Sequence, residues 1–96
     1  MIKNFDTILT NLENVSLKNE DQEITLKTVC INVLSADFPE ERIEAEEKFK
    51  RWLLAKKIYS GGEIDVTPEE IALIKKLLGK AYPPLLVGPA WEYLNQ

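Results

Sequence analysis

From Leu26 to Ala81 apolar residues recur at intervals of three and four, the spacing of helices that each turn one side to a core. Thr25 is placed to cap a first helix over 26–36, with Leu26, Val29 and Val33 facing inward, joined by Ile31 or Leu34. The β-branched Thr28, Val29, Ile31 and Val33 pull towards strand, but the pattern does not alternate strictly, so helix is expected. Asp37-Phe38-Pro39 breaks the chain, because the residue before a proline avoids the α region. A second helix is expected over 40–59, with Pro39 or Glu40 in its first turn. Ala45, Phe49, Trp52 and Leu53 form its apolar stripe, flanked by Ile58 and Tyr59, and Gly61-Gly62 ends it.

Thr67-Pro68-Glu69-Glu70 carries the clearest local signal. A threonine N-cap, proline at the first helical position and glutamate at the third form a capping box that opens a third helix over 67–79. Ile71, Ile74, Leu78 and Ala81 share one face, widened by Leu73 and Leu77, and Gly79 is expected to end it. The segment 83–96 is dense in apolar residues and prolines. Pro84 suits a helix start; Pro89 would kink that helix or open a short one over Ala90–Leu94.

The first 25 residues are less regular. Phe5–Thr10 reads as a strand, Asn11–Asn14 as a turn, and Val15–Leu17 and Ile24–Leu26 alternate on either side of a polar loop, Lys18–Glu23. Residues 1–96 are therefore expected to form one α+β domain, mainly helical, with a small N-terminal β-hairpin packed on three or four helices. Its expected core is Ile8, Leu26, Val29, Val33, Phe49, Trp52, Leu53, Ile71, Ile74, Leu78 and Trp91.

Composition adds few constraints. With 45% hydrophobic and 29% charged residues the chain has an ordinary globular balance, sufficient for one core. Cys30 is the only cysteine, so no intrachain disulfide forms, and its apolar flanks suit a small buried side chain rather than a reactive thiol. No run approaches the length of a membrane span, and the opening residues have no apolar signal core, so the expected location is the cytoplasm. A net charge of −4 argues mildly against nucleic acid as a ligand.

Candidate chemistry is sparse. The chain has no histidine, which removes Ser-His and Cys-His activation, and with a single cysteine a zinc site is not expected. Glu40/Glu44 and Glu69/Glu70 sit in first turns, where the helix dipole accounts for them, and Glu63 and Asp65 flank Ile64 in an extended stretch. Gly79-Lys80 lacks the upstream glycine and the Ser or Thr of a phosphate loop. No enzyme activity and no cofactor are expected. Lys48, Lys50, Arg51, Lys56 and Lys57, interleaved with Trp52 and Tyr59, are the weak nucleic-acid candidate. Glu44–Lys48, Glu46–Lys50 and Glu47–Arg51 pairs would neutralise half of that patch, so a solvated face is the favoured reading. Leu85, Leu86, Val87, Trp91, Tyr93 and Leu94 must be covered either by the domain itself, the favoured reading, or by a protein partner.

The runs Glu46–Ile58 and Val66–Tyr82, with Ile8–Leu12 and Thr25–Leu34, resemble small proteins encoded in tailed-phage and prophage genomes. Pro89 departs from that likeness, where a continuing helix would carry another residue. The family has no assigned activity, so no functional residue carries over. The resemblance implies a small accessory protein of the host cytoplasm that binds a host or phage protein or itself. The alternative is a structural or assembly component of the virion.

Overall fold

A computed structural model describes residues 1–96, and the architecture is α+β and mainly helical. Strand β1 (Ile2–Asn4) pairs antiparallel with β4 (Glu63–Asp65), Lys3 opposite Ile64. The short hairpin β2 (Lys18–Asn19) and β3 (Gln22–Glu23) turns through Glu20 and Asp21, both at positive φ (52° and 66°). Two successive left-handed residues suit the twist of a two-residue hairpin turn. The stretch expected as a polar loop is thus the hairpin itself. Phe5–Thr10, expected as a strand, is a turn followed by isolated bridges from Ile8 to Thr25 and Thr10 to Ser16. Its backbone groups are satisfied individually: the Leu9 N–H donates to the Ile24 carbonyl, and the Leu17 N–H to the Leu9 carbonyl.

Four helices carry the core. Helix α1 (Leu26–Ser35) is capped by Thr25, whose hydroxyl accepts from the Thr28 N–H, as expected. It packs on α2 (Ala45–Tyr59) and α3 (Pro68–Ala81), and α3 packs on α4 (Pro84–Leu94). The capping box forms with both bonds: Glu70 N–H to the Thr67 hydroxyl at 3.1 Å, and Thr67 N–H to the Glu70 carboxylate at 2.8 Å. Leu26, Val29, Val33, Ile71, Ile74 and Leu78 are buried as expected, together with Phe5, Leu54, Ile58 and Leu94.

Two helix boundaries differ from the expectation. Helix α2 begins at Ala45, not at Glu40. In an unbroken helix, residues ten apart are separated by about 15 Å along the axis. Arg51 and Glu41 are joined at 2.9 Å, so the chain folds back over 36–44 to bring them together, and that tertiary bond overrides local helix propensity. Helix α3 runs through Gly79 to Ala81, because Gly79 is an interior residue and not the C-cap. A Cβ there would meet only the Trp91 ring, at 3.8 Å, an ordinary contact. Gly79→Ala is therefore expected to stabilise the domain by about 0.5–1 kcal/mol. A urea midpoint that falls instead would show that the backbone at residue 79 needs glycine. Gly61 does take the left-handed conformation after α2 (φ 71°), and a Cβ there would lie 2.8 Å from the Asp6 carboxylate.

The expected burial of α2 is reversed. Phe49, Trp52 and Leu53 are 59%, 55% and 44% exposed, whereas Arg51, Leu54, Ala55 and Ile58 are buried. Both sets repeat at helical spacing, so periodicity alone does not choose between them. Arg51 disguises the buried set, and its charge is tolerated there because Glu41 meets it. Ile8, also expected in the core, is exposed, since the inward positions of its segment are taken by Phe5 and Leu9.

Candidate interaction surface on helix α2

The outer side of α2 follows from its buried side. With Arg51, Leu54, Ala55 and Ile58 turned inward, the opposite side carries Ala45, Phe49, Trp52, Leu53, Lys56 and Tyr59. Phe49 and Trp52 stack with ring centroids 6.3 Å apart and planes at 10°, and Lys56 Nζ lies 5.2 Å from the Trp52 ring centre. Aromatic pairs and a lysine stem thus form one continuous apolar ridge in solvent. Other helices touch only its margins: Lys27 of α1 lies 4.8 Å from the Tyr59 ring centre, and Leu53 borders a groove against Glu69, Glu70 and Leu73 of α3. Isolated exposed hydrophobes need no explanation, but a contiguous row of aromatics on one helix face does.

The buried side is held by an ion network. Arg51 gives Glu41 a two-pronged bond, Nη1–Oε1 at 2.9 Å and Nη2–Oε2 at 3.2 Å, while its Nε reaches Glu47 at 3.3 Å. Lys80 Nζ joins Glu41 at 3.0 Å, with Lys76 at 3.8 Å. The Arg51 and Lys80 hydrogen bonds hold the Glu41 carboxyl down at about 2. Reciprocally, the Glu41 bond raises the Arg51 guanidinium above its ordinary value. This network ties the 36–44 segment to α2 and α3 and so fixes which side of α2 is left outside.

Of the five basic residues considered for nucleic acid, Arg51 is buried in that network and Lys57 is paired with Glu70 at 3.2 Å. Lys48, Lys50 and Lys56 remain on the exposed side with the aromatics. Of the three expected i,i+4 pairs only Glu47–Arg51 closes; Glu44–Lys48 and Glu46–Lys50 do not.

The C-terminal residues considered as an interface are mostly spent within the fold. Leu94 is buried, and Leu86, Val87 and Tyr93 are half-buried. Trp91, expected in the core, stays 36% exposed: it lies on the outside of α3 beneath the Lys75 ammonium and donates its indole N–H to the Lys75 carbonyl at 3.2 Å. The Tyr93 hydroxyl accepts the Asn4 N–H at 2.7 Å, and Lys3, buried on β1, bonds the Gln96 carbonyl beyond the end of α4. A cation at that end favours the helix dipole. Leu85 is the most exposed of the C-terminal interface candidates, and with the exposed Leu12 it edges an open groove of about 600 Å³ that Thr10, Asn11, Pro84 and Glu92 also line. Pro89 lies inside α4, a single helix that neither stops nor restarts there. The bond it cannot make belongs to the carbonyl of exposed Leu85, where water can replace it.

Cys30 is buried and its thiol is pushed up to about 12 by desolvation, so it is an inert core side chain. No three Cys, Asp or Glu side chains converge as metal ligands. No helix is long and apolar enough to cross a membrane. Compared with known proteins, the chain matches no family model, no curated protein and no solved structure.

Proposed function

We propose that this chain is a small non-enzymatic protein-binding module whose docking face is the outer side of α2. The observation that carries the reading is the exposure of Phe49, Trp52 and Leu53 in one row on a rigid helix. A helix-borne aromatic anchor is pre-ordered and loses little entropy on binding. The absence of histidine and the raised thiol of Cys30 support a binding role over a chemical one. The likeness to phage-encoded proteins supports an accessory role in a host cytoplasm, where the partner is a host or phage protein or the chain itself. A place in the virion is the alternative within the same reading.

The triple substitution Phe49→Ser, Trp52→Ser, Leu53→Ser tests this. Exposed positions tolerate such changes within about 0.5 kcal/mol each. The variant is expected to keep its melting temperature to within a few degrees and to lose the associations the wild-type chain makes in crosslinked cells and in the ultracentrifuge. A variant that unfolds would place the row in the core. One that folds and associates as before would remove α2 from function. Retardation of single-stranded DNA or RNA by the wild type, lost steeply with salt, would replace the protein partner with nucleic acid.

A further inference from the structure

The exposed row on α2 has a spacing of its own. Ala45, Phe49, Trp52, Lys56 and Tyr59 are separated by four, three, four and three residues, the interval at which one helix meets another along a seam. Of the charges beside the row, Glu44, Glu46 and Glu47 lie at the N-terminal end and Lys56 and Lys57 at the C-terminal end, with Lys48 and Lys50 between them. A helix of this kind is complementary to itself when it is turned end for end. A two-fold axis crossing α2 between Phe49 and Trp52 sets Phe49 of one copy against Trp52 of the other, and Ala45 against the Lys56 stem. The same operation brings Glu46 of each copy to Lys57 of the other, which bonds Glu70 within its own chain, and each such contact forms twice. A parallel pair would instead put Glu46 beside Glu46 and Lys57 beside Lys57.

We infer that the docking face is occupied by a second copy of this chain, the two α2 helices packed antiparallel about Phe49 and Trp52. The inference rests on the reading of α2 as the docking face and adds the occupant. Apolar contact along the seam supplies the affinity, and the end-to-end charge pattern selects the orientation. One helix per copy makes a small interface, so the dimer is micromolar rather than nanomolar. Lys56, within the seam, keeps its ammonium at the edge while its stem covers the opposing ring.

Sedimentation equilibrium of the full chain from micromolar to millimolar concentration is expected to show monomer passing to dimer, with no larger species. Trp52→Glu should weaken association at least tenfold while the melting temperature of the dilute protein stays in place. Orientation is read by disulfide trapping, for which buried Cys30 offers no competing thiol. Chains carrying Ala45→Cys and Lys56→Cys, mixed and oxidised, should form a crosslinked dimer containing one of each. Each variant oxidised alone should stay uncrosslinked. Crosslinking of Ala45→Cys to itself would overturn the antiparallel arrangement. A wild type that remains monomeric at millimolar concentration would overturn self-pairing. If the triple serine variant still loses a cellular partner in that case, the docking face stands and only its occupant is wrong. A dimer unaffected by Trp52→Glu would place the contact elsewhere and overturn the inference.

Discussion

Truncation after Tyr82 should leave a chain with no cooperative unfolding transition. Helix α4, the apolar, proline-rich segment favoured in the sequence as covered by its own domain, closes the core from the α3 side. Leu94 and Ala90 are fully buried, Leu86 and Tyr93 pack against the core, and Trp91 is bonded to the α3 backbone. Full burial of Leu94 is worth about 1.5–3 kcal/mol, and the partly covered Leu86, Tyr93 and Trp91 add to it, a large share of a net stability of about 5–15 kcal/mol. Truncation also uncovers α3 where Trp91 lies against Lys75 and Gly79, and frees Lys3, whose ammonium is bonded beyond the C-terminal end of α4. Circular dichroism during urea titration is the check. The expected trace is a shallow slope without a midpoint, and a sigmoid at the full-length midpoint would show that residues 83–96 are dispensable for folding.

The second large effect concerns Arg51. Arg51→Ala is expected to cost about 3 kcal/mol, the range seen when one member of a covered ion pair is removed. The loss has two parts. The guanidinium makes three hydrogen bonds to Glu41 and Glu47, and its side chain lines the cleft between α2 and the 36–44 segment. Lys80 and Lys76 keep Glu41 partly neutralised in the variant, which holds the effect below complete unfolding. The pH dependence has a definite sign. Glu41 has a folded value of about 2 against an ordinary 4.5, so its ionised form is bound more tightly in the folded state. The stability it contributes is therefore fully present above the ordinary value and is lost as pH falls from there through about 2. Denaturation midpoints between pH 6 and pH 2 should fall on acidification in the wild type and fall less in Glu41→Gln. Parallel acid slopes in the two proteins would contradict the network.

These effects also show which parts of the fold the sequence discloses. The Thr67 capping box and the Thr25 cap are read correctly because all their partners lie within three residues. The β1–β4 pair is invisible locally, since its strands are three residues long and some sixty residues apart, and Lys3 occupies the inward position of β1. The start of α2 is misread for a related reason. Pro39-Glu40-Glu41 has the composition of a helix N-terminus, and only the distant bond to Arg51 pulls Glu41 out of helical register.

The exposed row of α2 is legible as residues but not as a surface. Phe49, Trp52 and Leu53 stand out in the pattern, and a row of that kind is ordinarily core. The competing stripe contains a charge, Arg51, which conceals its burial. A second stripe on a helix that already has one to bury is the signal that could have separated the two. Leu54, Ala55 and Ile58 are as apolar as the row that stays outside, so α2 carries more apolar surface than one domain can cover.

The central claim, that the outer row of α2 is bare in the monomer and covered on association, is tested most directly by the fluorescence of Trp52. In a Trp91→Phe chain Trp52 is the only tryptophan. In dilute solution its emission should be that of a water-exposed indole and acrylamide should quench it readily. As concentration rises through the association range, the emission should move to shorter wavelength and quenching should fall. A Trp52 already shielded from acrylamide in the dilute monomer, or one that stays fully quenchable while the chain associates, would contradict the account.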